Sequence, residues 1–114
     1  TDGFKALFTA DIGAAIESFV KPFGYGIVIE LGGHGVGRAV HEPPYIANAA
    51  KAGTGLELCE GQVLALEPML TLGDHRVKLG KDRFGYVTFD ASRSAHFEHT
   101  IVITRDGAEV ITST

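Results

Sequence analysis

His34, Glu67 and Glu98 stand in three strongly patterned segments: Gly32-Gly33-His34-Gly35-Val36-Gly37, Leu66-Glu67-Pro68-Met69 and His96-Phe97-Glu98-His99-Thr100. An imidazole nitrogen together with carboxylate oxygens is a donor set suited to a hard or borderline divalent ion. The three residues lie 33 and 31 positions apart, far too widely for one helix, so the fold itself must gather them. Taken singly each is a weak signal, because a His after a strand is commonly structural and a buried Glu is commonly ion-paired. As a set they are stronger: all three fall at or near strand-like segments rather than in polar loops. His41 adds a second imidazole seven residues beyond His34.

Two other chemistries compete for the same residues. Successive backbone N–H groups of the glycine cluster could form an anion-binding nest, with Arg38 close behind. Yet Gly33-x-Gly35-x-Gly37 is not a G-x-G-x-x-G fingerprint, no Gly-Lys-Ser/Thr occurs, and Pro43-Pro44 prevents a long helix from following. A Ser-His-Asp set could be assembled around Ser92 or Ser94, but the chain has no nucleophile-elbow pattern to carry it.

The elements that must position these residues can be read from periodicity. Asp11 is placed to cap a helix whose Ile12, Ala15, Ile16, Phe19 and Val20 form one apolar stripe, ended by Pro22 and Gly24. Tyr25 to Leu31 is a β-branched and aromatic run that predicts a strand, with His34 just past its end. Arg38 to Glu42 reads as a short extended or irregular piece stopped by Pro43-Pro44, and residues 45–60 read mostly as loop. Gln62 to Leu70 is a near-continuous apolar run with Glu67 embedded in it, as in a well-buried strand. Residues 75–79 and 84–89 predict two short strands. Ala95 to Thr104 and Ala108 to Thr112 predict a hairpin closed by Asp106-Gly107. Along its first strand Glu98 shares a face with His96, Thr100 and Val102. One helix followed by about five strands predicts an α+β fold, with the N-terminal helix packed on a mainly antiparallel sheet.

Composition sets the outer limits. At 114 residues with 45% apolar and 21% charged residues, the chain is expected to form a single domain spanning residues 1–114. A net charge of −4 without clustered Lys or Arg excludes a broad nucleic-acid footprint. No apolar stretch approaches the ~20 residues that span a bilayer, so no membrane partner is expected. Cys59 is the only cysteine and reads as a small, partly buried hydrophobe; the lack of a possible internal disulfide fits a reducing, cytoplasmic location. A start at Thr1 rather than Met leads to the expectation of a processed or excised polypeptide.

Three ordered motifs carry a resemblance to a known family. They are Gly33-His34-Gly35-Val36-Gly37-Arg38-x-x-His41-Glu42-x-Pro44, Leu66-Glu67-Pro68-Met69, and Ser94-Ala95-x-Phe97-Glu98-His99-Thr100 with a trailing Thr104-x-Asp106-Gly107-x-Glu109. In order and spacing they resemble the C-terminal half of a type I methionine aminopeptidase, and the Glu98-His99-Thr100 form favours that enzyme over related Xaa-Pro peptidases. The resemblance implies half of a pita-bread fold, in which two pseudo-symmetric halves face each other across a dinuclear metal site. It implies His34, Glu67 and Glu98 as metal ligands, with Glu98 bridging two divalent ions (Co, Mn, Fe or Zn). It implies that a water activated by the ions attacks the scissile carbonyl, that Glu67 shuttles a proton to the leaving amine, and that His41 hydrogen-bonds the substrate or the tetrahedral intermediate. Val40 and Phe84 would line the pocket for the methionine side chain.

The departures are as informative. Phe84 stands where Trp is usual in some members, and Val40 where Met or Phe is more typical. The family also takes two Asp ligands and a further His from strands before the matched segment. Asp2 and Asp11, nine positions apart, flank a helix start and are expected to cap or to face solvent. The chain is therefore expected to act on peptide or nascent-chain N-termini together with a complementary N-terminal half, and to associate with that half or with itself. The alternatives are an inactive stand-alone half and a non-catalytic binding module on the same scaffold.

Overall fold

The computed structural model describes residues 7–112. Asp2 lies outside them, so its expected role as a solvated or capping residue has no structural counterpart. The helix α1 runs from Thr9 to Val20, capped at Phe8 and so starting three residues earlier than a cap at Asp11 would place it. Asp11 is instead its third residue, and its Oδ2 accepts the backbone N–H of Phe8 at 2.7 Å, satisfying a donor that the first turn leaves open. Its other oxygen accepts the N–H of Gly53 at 2.7 Å, tying the helix start to a distant loop. The buried face runs through Thr9, Ala10, Gly13 and Val20, with Ile12 packed on the core. Phe19, expected on that stripe, is 74% exposed, and Ala15 is exposed as well. Small residues at 10 and 13 turn the helix toward the sheet by a different face. A 3-10 turn, Lys21–Phe23, with Pro22 inside it and Gly24 after it, ends the element.

Among the described residues ten short strands follow: β1 Gly26–Ile27, β2 Gly33–Gly35, β3 Glu42–Ile46, β4 Val63–Leu66, β5 Met69–Thr71, β6 Val77–Leu79, β7 Tyr86–Thr88, β8 Ser94–His96, β9 His99–Thr104 and β10 Gly107–Val110. All pairings are antiparallel. A five-stranded sheet has the order β10-β9-β4-β2-β3, a three-stranded sheet the order β1-β5-β8, and β6 and β7 form a separate ribbon. The α1 helix packs against β3. Ile46, Leu64, Ile101 and Ile103 form the core between helix and sheet, joined by Ile12, Leu58 and Leu66. The α+β architecture with one helix on antiparallel sheet stands as the sequence predicted.

The strand count exceeds the expected five for two reasons: β2 and β3 form where the sequence predicts a glycine-rich turn and irregular chain, while the strand expected over Tyr25 to Leu31 is reduced to Gly26–Ile27, and two long runs break. The apolar run from Gln62 to Leu70 divides at Glu67-Pro68, leaving β4 in the large sheet and β5 in the small one. Ala95 to Thr104 divides at Phe97-Glu98 in the same way, into β8 and β9. Proline has no N–H for a ladder, so Pro68 is a natural place for the first break. The two breaks lie side by side: Leu66 pairs with His99 before them and Met69 with His96 after them. The N–H of Phe97 donates to the Pro68 carbonyl at 3.2 Å and joins the two crossings.

Three smaller expectations are corrected. Pro43-Pro44 does not stop the segment but lies inside β3, where an edge position tolerates prolines because only one side needs ladder donors. The final hairpin turns at Arg105-Asp106, one residue earlier than expected, and Gly107 already pairs with Thr104. Cys59 is exposed rather than partly buried.

Candidate metal centre

His34 lies within β2, not beyond a strand end, and β2 is held between β3 and β4. A side chain at Gly33 would collide with the Ala65 carbonyl, and one at Gly35 with the carbonyls of Glu42 and Pro43. The glycines around His34 therefore serve close backbone approach rather than anion binding. The register shifts between His34 and Gly35, where β3 bulges.

The His34 side chain is 12% exposed, and its Nδ1 lies 2.9 Å from the Gly35 carbonyl oxygen. A carbonyl can only accept, so Nδ1 carries the proton and Nε2 is turned toward the site. Nε2 meets Glu67 Oε2 at 2.7 Å. The ring of His41 lies 3.9 Å from that of His34, centroid to centroid, with planes tilted by 32°. Donor atoms of His34, His41 and Glu67 all fall within 4.8 Å of one another.

A second group shares Glu67. Its Oε1 lies 3.2 Å from His96 Nε2, and donor atoms of Glu67, His96 and Glu98 also fall within 4.8 Å of one another. Glu67 occupies the break between β4 and β5, Glu98 the break between β8 and β9, and His96 ends β8. Asn48, 1% exposed, donates from Nδ2 to the Glu67 carbonyl at 2.8 Å and so fixes the backbone of the shared carboxylate.

Of the residues singled out from sequence, the fold thus brings together His34, His41 and Glu67, and joins Glu98 to them through Glu67. Val40 is 77% exposed on the bend before β3, and Phe84 is 88% exposed at the tip of the β6–β7 ribbon. Neither lines the concavity of about 330 Å³ beside β5 and β8, which is formed by Tyr25, Leu70, Leu72, Ala95 and Phe97 among others. Asn48 and His96 escaped the sequence reading. Nothing in a loop of small residues marks Asn48, whereas His96 already shared a face with Glu98 by strand alternation.

The donor set suits a divalent ion on chemical grounds. Donors around one such ion sit about 2.0–2.2 Å from it, hence within roughly 4.4 Å of each other, and both groups come close to that spacing. Two lone pairs cannot face each other at the His34–Glu67 distance, so that axis must hold a proton or a cation.

Fold and donors together define a candidate metal centre built at paired strand breaks of an α+β scaffold. The sequence pattern of metallopeptidase family M24 matches residues 5–105, and the chain belongs to that family. It is 44% identical over 103 residues to a methionine aminopeptidase of Mycoplasma capricolum, covering 90% of this chain and 41% of that protein. The methionine aminopeptidase structure from Thermotoga maritima superposes with a TM-score of 0.91 at 44% identity, over 96% of this chain and 44% of the other. That from Rickettsia prowazekii gives 0.90 at 42% identity, over 95% and 44%. The chain therefore has the pita-bread half-fold that the motifs implied, and it spans about two fifths of the length of these relatives. Among the described residues no helix is long and apolar enough to cross a membrane.

Proposed function

We propose that residues 1–114 act as one domain, the metal-binding half of an aminopeptidase that removes methionine from the N-termini of peptides or nascent chains in the cytoplasm. The observation that carries the reading is the His34–Glu67 pair at 2.7 Å, in which one imidazole nitrogen is anchored and the other faces a carboxylate. Relatives named methionine aminopeptidases supply the substrate class.

In this reading His34, Glu67 and Glu98 hold divalent ions (Co, Mn, Fe or Zn), two in the complete site. The ions, when bound, supply Lewis acidity toward the scissile carbonyl and toward water. The Gly35 carbonyl keeps His34 Nε2 free to bind, since it accepts the Nδ1–H hydrogen bond and so holds the proton on Nδ1. Glu67 takes a proton from the attacking water and passes it to the leaving amine, a role open to it because its backbone is fixed by Asn48 while its carboxylate remains 14% exposed. His41, exposed and with its ring tilted against that of His34, donates a hydrogen bond to the developing oxyanion. Val40 and Phe84 line the pocket for the methionine side chain.

The remaining donors come from a complementary N-terminal half. Large apolar side chains left open, such as Phe97, are the surface it would cover. The test is methionine release from a Met-Ala peptide by this chain alone and after co-folding with the N-terminal half of a relative. Release only in the co-folded sample, lost on Glu67→Gln, is expected. Full turnover by the chain alone overturns the need for a partner half, and none in either sample overturns the peptidase reading in favour of an inactive half. Sedimentation reads the competing outcome, self-association.

A further inference from the structure

Glu67 offers its two oxygens to two different imidazoles, Oε2 to His34 and Oε1 to His96. The second contact belongs to a compact cluster in which Glu98 also takes part. Two carboxylates drawn together at neighbouring strand breaks repel unless a positive charge lies between them. His96 reaches this spot from the last position of β8, held in register by its pairing with Met69. Its side chain is 50% exposed, so no packing requirement explains why an imidazole points here.

We propose that His96 is a further nitrogen ligand, binding a divalent transition-metal ion together with Glu67 and Glu98. The inference rests on the reading of Glu67 and Glu98 as ligands given above and adds a residue to it. One carboxylate then serves two positions, each with its own imidazole: His34 on one side of Glu67 and His96 on the other. An added imidazole raises affinity most for ions that favour nitrogen, Zn²⁺ and Co²⁺ over Mg²⁺ or Mn²⁺. The chain itself thus carries a nitrogen and two carboxylates for that second position.

The experiment is titration of the 114-residue chain with Zn²⁺ by calorimetry and with Co²⁺ by visible absorption, for the native sequence, His96→Gln and His34→Ala. Ring ¹⁵N shifts of the histidines are recorded with and without Zn²⁺, and circular dichroism checks the fold. The expected result is a loss of about tenfold or more in Zn²⁺ affinity for His96→Gln. The same substitution should alter the Co²⁺ spectrum, and Zn²⁺ should shift the His96 Nε2 resonance in the native chain. A His34→Ala variant that keeps a binding step sensitive to His96 supports the second position directly. Unchanged affinity and spectrum in His96→Gln, with binding lost in His34→Ala, overturns the proposal and leaves the His34–Glu67 reading standing. A loss of affinity in His96→Gln without any shift of the His96 ring on Zn²⁺ addition also overturns it, because His96 then only positions Glu67. Absence of Zn²⁺ binding by the native chain overturns both readings.

Discussion

His34 Nε2 and Glu67 Oε2 face each other at 2.7 Å, while the opposite nitrogen of the same ring is committed to the Gly35 carbonyl. Glu67→Gln keeps the shape of the side chain but removes its charge and its capacity to take up a proton. Fold stability should therefore stay within about 1 kcal/mol, because an amide can still bond both neighbouring imidazoles. Methionine release by the co-folded assembly should fall by at least about a hundredfold. Kinetics at saturating metal, set beside thermal unfolding, separates the two effects; a variant that keeps half its turnover removes Glu67 from the chemistry.

Asn48 holds the backbone of the same glutamate. Its side chain is 1% exposed and donates to the Glu67 carbonyl at 2.8 Å. Asn48→Ala leaves that carbonyl without its donor and opens a small void, at a cost of about 2–3 kcal/mol. Because the break between β4 and β5 then loosens, Zn²⁺ affinity should drop as well. Denaturant unfolding and calorimetry on the same sample check this, and a drop in stability with unchanged affinity would show that Asn48 only supports the fold.

How far the site was legible follows from these residues. His34, Glu67 and Glu98 stood out because charged or imidazole groups in strongly apolar or glycine-rich strand contexts demand partners. The fold class was legible for the same reason, since the period-2 pattern and one 3.6-residue stripe survive whatever the tertiary detail. What the pattern could not reveal was that two runs break at the same level. A continuous apolar run from Gln62 to Leu70 looks like one strand, and only pairing with a second broken run, Ala95 to Thr104, makes the sheet change at Glu67 and Glu98. Asn48 was invisible because its role is a contact 19 residues away in sequence. Phe19 lies off the buried face because the helix turns its small residues Ala10 and Gly13 inward, where close approach matters more than apolar volume.

Gly33→Ala tests the close approach that holds His34 in place. The new methyl group would press on the Ala65 carbonyl of the adjacent strand, which cannot move without disturbing the Leu64 core position. The cost should be about 1–3 kcal/mol, seen as a fall of several degrees in Tm. An unchanged Tm would mean that β2 and β4 can separate without loss.

Acid should loosen the β6–β7 ribbon before the core. Asp74 is held down to about 2 by the Arg76 side chain and then by the Arg76 backbone N–H. Asp82 is lowered by the N–H groups of Phe84 and Gly85, and Asp90 by the N–H of Asp74 and by Ser92. In an unfolded chain an Asp titrates near about 3.9, so the folded state binds fewer protons below that value. The contribution of these carboxylates is therefore complete above about pH 4 and is lost as pH falls toward 2. All three lie at the surface, so the effect is small and weakened by salt. Amide exchange of residues 77–88 followed from pH 5 to pH 2 should show protection declining there first, with Asp74→Asn removing much of the pH dependence. Uniform loss across β4 and β9 over the same range would place the acid-sensitive groups elsewhere in the fold.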